Sequence, residues 1–191
     1  MTIPTATKNA LLGGQAYDNA SLHTAYPGTT GTSEVTGGAP AYARKAITIN
    51  AASGGSRLLN AGVVFDVPAC TVKWIGLWSA GVFVDSVPNG GATPKNFSMS
   101  GGVIVATGHG WTNTQKVAFF GVPPTGLTEG VTYFVRDAAT DTFNVAATSG
   151  GVAIALSGSA SAGCWVIAIT EDVYAAQGTH SLTAGTVTVP D

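Results

Sequence analysis

Three histidines, ten acidic residues and a scatter of serines are the side chains of this 191-residue chain that could move protons, hold a metal or attack a carbonyl. His180 lies near Glu171 and Asp172 in sequence, and a His/acid cluster is how a divalent metal would be held. Neither HxxEH nor HEH spacing accompanies them, so they read as strand-end residues and no metal site is expected. His23 sits in a strand with Leu22 and Ala25 and is expected to be half-exposed. His109 lies in "GHG", a tight turn whose glycines supply positive φ.

A glycosidase needs two carboxylates about 5–9 Å apart, but the acids fall mostly in turns and at strand ends. There they bond backbone or keep edges soluble. A serine nucleophile needs an elbow such as GxSxG, which "GGSR" at 54–57 and "SGSAS" at 157–161 do not provide. The second also lacks the Gly-Lys-Ser/Thr that completes a phosphate loop. The expectation is no catalytic residue, no cofactor and no metal.

Tryptophans could instead stack on sugars. Trp74 and Trp78 share one strand face with Gly76 and read as sheet packing, whereas Trp111 follows "GHG" at a loop tip. Trp111 and His109 are therefore the candidate exposed contact, since amphipathic rings anchor interfaces. The basic residues are scattered, suited to pairing with acids or shielding edges, and Cys70 and Cys164 read as buried free thiols.

Soluble domains are about 25% charged; this chain is 9% charged, 45% hydrophobic and carries 26 glycines. It should fold, under a surface of hydroxyls, amides and backbone or against partners. A net charge of -2 offers no footprint for nucleic acid. No apolar run approaches the roughly 18 residues that span a bilayer, so no membrane partner is expected. "MTIPTATKNALLGG" lacks the basic start and apolar core of a signal peptide, and a cytoplasmic product is expected.

The positioning elements are almost wholly strand and turn. A short helix is expected at Thr5–Gln15, ended by Gly13-Gly14. Expected strands include Ser21–Tyr26, Gly62–Val67, Val72–Trp78, Gln115–Phe120, Val152–Leu156, Cys164–Thr170 and Ser181–Val189. The best-formed stretch is "GLTEGVTYFVRDAATDTFNVA", which alternates as a hairpin with Val131, Tyr133 and Val135 on one face. Asp137 and Asp141 flank its connection and are expected to bond nearby backbone amides in a type I turn. Many short strands between glycine-rich turns indicate an all-β fold, sandwich-like.

Two stretches resemble modules of tailed-bacteriophage virion proteins. "ASLHTAYPGTTGTSEVTGGAPAYARKAITINAASGGSRLLNAGVVFDVPACTVKWIGLWSA" at Ala20–Ala80, with "HSLTAGTVTVPD" at His180–Asp191, is similar to a family labelled tail fibre or minor structural protein. Tyr26 departs from its pattern, where relatives often carry an acid before Pro-Gly. "VIVATGHGWTNTQKVAFFGVPPTGLTEGVTYFVRDAATDTFNVAATSGGVAI" at Val103–Ile154 is similar to a β-rich module of phage tail and accessory proteins. The resemblance implies a discontinuous host domain, residues 1–98 plus 171–191, carrying an inserted projecting domain at 99–170. It also implies a virion protein assembled in the bacterial cytoplasm, either a minor capsid or decoration protein or a tail component. The expected partners are the major capsid protein, copies of itself in a homotrimer, or both; a host-surface glycan is the remaining candidate, with no motif in its support.

Overall fold

The computed structural model describes residues 3–60, 62–160, 163–183 and 186–188. The described residues form two compact units, one from 3–91 with 170–188, the other from 92–169. Antiparallel strands build both, a single short helix accompanies them among the described residues, and the fold is all-β.

In the first unit, α1 (Thr5–Gly13) precedes β1 (Asn19–His23), β2 (Lys45–Ala46), β3 (Ser56–Leu58), β4 (Val63–Val67), β5 (Cys70–Val72), β6 (Trp74–Ser79) and β7 (Val82–Pro88). A four-stranded sheet runs in the order β2-β1-β6-β7. Five successive residues of β6, WIGLW, are buried, which requires cover on both sheet faces. Ile75 and Leu77 join Ala20, Leu22 and Val87 in the unit's main core, with Phe65 and Val67 of β4. Trp74, Gly76 and Trp78 alternate onto the opposite face.

Helix α1 buries Leu12 and ends at Gly13-Gly14 as expected, with Gly14 in a right-handed conformation at φ -73°. Arg57 of β3 takes over the exposed carbonyls. Its Nη1 donates to Leu12 O at 3.0 Å and to Gln15 O, and its Nε donates to Asn50 O at 3.0 Å. The guanidinium thus meets the negative end of the helix dipole. Arg57→Ala is expected to cost about 2 kcal/mol. Hydrogen-exchange mass spectrometry should show α1 amides losing protection while β1 and β6 keep theirs.

The second unit comprises β8 (Lys95–Asn96), β9 (Ser98–Ser100), β10 (Val103–Val105), β11 (Lys116–Phe120), β12 (Thr132–Arg136), β13 (Thr142–Ala146) and β14 (Trp165–Ala168). They form one seven-stranded sheet, β8-β14-β11-β12-β13-β10-β9. β12 and β13 are the expected hairpin, with Val135 opposite Val145. Tyr133, Val135, Phe143 and Val145 pack in the core with Ile104 and Phe119, while Phe134 and Arg136 are half-exposed on the other face. The unit starts before residue 99, because β8 pairs with β14 and Phe97 lies in this core.

Two local expectations change. The hairpin aspartates bond other groups than their own turn's amides. Asp137, at φ 51°, accepts from Arg136 Nε at 2.9 Å and Asn144 Nδ2 at 3.1 Å, and these bonds hold its carboxyl below the usual range. Asp141 Oδ1 accepts the Gly108 N–H at 2.7 Å, bracing the GHG turn. Val152–Leu156 is irregular rather than a strand. Ile154 N–H bonds Val145 O at 2.8 Å, and Ile154 and Leu156 still pack on the core, so their alternation reflects sidedness without a ladder.

After the second unit the chain returns through β15 (Asp172–Tyr174), β16 (Gly178–Leu182) and β17 (Thr186–Thr188). These pair antiparallel with β5, β4 and β3, keeping one register to within a single residue. The returning segment therefore closes the first unit along an interrupted two-stranded ribbon. The chain leaves and re-enters at adjacent points, since a Cβ added at Gly90 would lie 2.6 Å from Thr170 Oγ1.

Candidate functional site

The second face of the β1/β6 sheet holds a serine and a histidine in contact. Alternation along β1 puts Ser21 and His23 opposite Gly76 and Trp74 of β6. Ser21 Oγ lies 2.7 Å from His23 Nε2, and Trp78 Nε1 donates to the same Oγ at 2.7 Å. His23 Nδ1 lies 2.7 Å from Thr32 O. A carbonyl can only accept, so Nδ1 carries the proton and a neutral ring leaves Nε2 as acceptor. The order is Trp78 N–H to Ser21 O–H to His23, then His23 N–H to Thr32 O.

This is the geometry of a nucleophile and its base, sealed from solvent in the closed sheet. Ser21 and His23 are both 0% exposed, correcting the half-exposed position expected for His23. A Cβ at Gly76 would overlap both Ser21 Oγ and His23 Nε2. The cover is the segment after β1. Gly31, at φ 77°, lies so close that an added Cβ would come 2.8 Å from the Trp78 and Phe83 rings. The Arg44 guanidinium stacks 3.2 Å above Trp78 and forks onto Glu34, with Nη2 to Oε2 at 2.8 Å and Nε to Oε1 at 2.9 Å. Tyr42 donates to Glu34 at 3.3 Å and accepts the Leu22 N–H at 2.8 Å. Burial depresses the His23 pKa and Arg44 adds to that, while the Thr32 carbonyl and Glu34 oppose it.

A second polar network surrounds His180. Its Nδ1 lies 3.1 Å from Tyr174 Oη and 3.5 Å from Asp172 Oδ2, which also accepts from Asn89 Nδ2 at 2.8 Å. Burial lowers the His180 pKa against the pull of Asp172. Glu171 turns to Lys73 instead, at 3.1 Å. Among the described residues no group of three His, Cys, Asp or Glu side chains is placed to hold a metal ion. Asp85 is a carboxyl pushed up by burial, and it helps raise the Tyr17 phenol to about 12 after burial itself.

In the second unit the expected exposed contact is not exposed at His109, which is 5% exposed. Its ring lies 5.0 Å from Phe143 and 5.4 Å from Trp111, and Nδ1 accepts the Trp111 N–H at 2.9 Å. The proton therefore sits on Nε2, which is buried without a hydrogen-bond partner among the described residues. Trp111 is half-exposed and packs edge-on to Phe143 at 5.4 Å, so the turn is a core plug more than a projecting tip. Cys164 is buried and donates to Val122 O at 2.9 Å, whereas Cys70 is only half-buried.

The signal missed in the sequence was the apolar run WIGLW with its central glycine, which demanded a covering layer. Comparison with protein-family models, with curated proteins and with solved structures found no match.

Proposed function

We propose that the chain is a structural protein of a tailed-bacteriophage particle, a minor capsid or decoration protein that docks on the major capsid shell and acts without a reaction centre. The observation that carries this reading is apolar surface on a chain with 9% charged residues. In the first unit Leu11, Leu58, Val64, Val82 and Val173 are each more than half exposed. Such side chains are better tolerated on a protein that stays bound than on one that stays free. The first unit would dock and the second project, with copies joined as a homotrimer so that each contact after the first becomes intramolecular. The sequence resemblance to phage virion modules points the same way, and it applies equally to a tail component.

Copy number separates the two locations. Quantitative mass spectrometry of purified virions is expected to give a multiple of the shell's symmetry. Fewer than about a dozen copies per particle would overturn the capsid assignment and favour the tail.

A further inference from the structure

We infer that Ser21, His23 and the segment 26–33 form an acid-released clasp, in which protonation of His23 lifts that segment from the Trp74/Trp78 face. The ring is sealed between Ser21 on its own strand, Gly76 and Trp74 of β6, Phe83 of β7 at 6.1 Å and the covering segment. Strands β6 and β7 present no titratable side chain to it. Among the described residues the charged groups that act on it are Glu34 and Arg44, and both come from the cover.

The network works for one protonation state. A second proton, on Nε2, would take the remaining lone pair of Ser21 Oγ beside the Trp78 N–H, and the serine's own proton would lose its acceptor inside a fully buried site. Gly76 leaves no space for the ring or the hydroxyl to turn aside. A buried cation must reach water, and the route to water is to raise the segment that Thr32 O anchors to Nδ1. The closed state resists protonation below the ordinary imidazole value of 6.5, whereas the open state does not. The clasp is therefore fully closed above that pH and weakens as pH falls through it. The loss levels off once the closed form also takes the proton.

Hydrogen exchange on the full chain, from about pH 7.5 to about pH 5, tests this. Protection factors over residues 26–33 are expected to fall by up to about tenfold per pH unit below the ordinary imidazole value, while β11 and β14 amides of the second unit stay protected. In His23→Gln the response should vanish, and in His180→Gln it should persist. If His23→Gln does not fold, nitrogen NMR of the wild-type ring decides. It should show the Nδ1–H tautomer at neutral pH and protonate at the midpoint of segment opening. Unchanged protection across the range, a response retained in His23→Gln or lost in His180→Gln, or a ring that titrates without opening would each overturn the clasp.

Discussion

Gly76→Ala is expected to destabilise the first unit by about 4 kcal/mol, from overpacking and a broken buried hydrogen-bond chain. The added methyl has no free volume, because it lands on Ser21 Oγ and His23 Nε2 together. Neither atom can yield cheaply. Ser21 is fixed by Trp78 Nε1, His23 by Thr32 O, and both side chains are fully buried. Relief requires the strands to separate or the cover to lift, and either exposes Trp74 and Trp78. Chemical denaturation followed by tryptophan fluorescence measures the loss. Gly13→Ala is the matched control, since its Cβ meets nothing within 4 Å at the end of α1. It should leave stability unchanged or raise it by up to about 1 kcal/mol. Equal effects from the two substitutions would contradict the description of the second face.

Phe143→Ala should cost the second unit about 3–5 kcal/mol. The side chain is fully buried, and the rings of His109 and Trp111 pack on its edge. Its loss removes the surface on which the GHG turn rests, leaving the Asp141 bond to Gly108 N–H as the brace. Trp111 emission should shift to longer wavelength before the unit unfolds. A cost below about 1 kcal/mol with an unshifted Trp111 would mean that the turn is held some other way.

These two sites show what could and could not be read from the chain. The hairpin of β12 and β13 was legible because one face is core and the other half-exposed, so burial alternates with sequence. β6 carries no such alternation, and its unbroken apolar run was the trace of a second covered face. What covers it could not be read locally, because the cover folds back from after β1 and is pinned by Thr32, Glu34 and Arg44. His23 looked half-exposed for the same reason. Strands β3 and β15 were missed because each is three residues long and exists by pairing across the second unit. The Val152–Leu156 misreading is the converse case, alternation without a neighbouring ladder.

The chemistry was less legible than the fold. Ser21 and His23 lie two residues apart on one strand face, a spacing that carries no catalytic signature, yet the fold brings Oγ and Nε2 to 2.7 Å. Suitable groups are present, and both are fully buried. His109 was singled out correctly as a turn residue but placed on the wrong side of the surface, since glycines on either side describe the backbone and say nothing of where the ring goes. The Phe143 edge decides that.

The central proposal is that this polypeptide supplies shape and adhesion to a viral particle. Its most direct test is the fate of the chain in a lysate of phage-infected cells resolved on a density gradient. The chain is expected to band with intact particles and to stay with them through repeated purification. Recovery as a free, stable monomer that never accompanies particles would contradict the proposal.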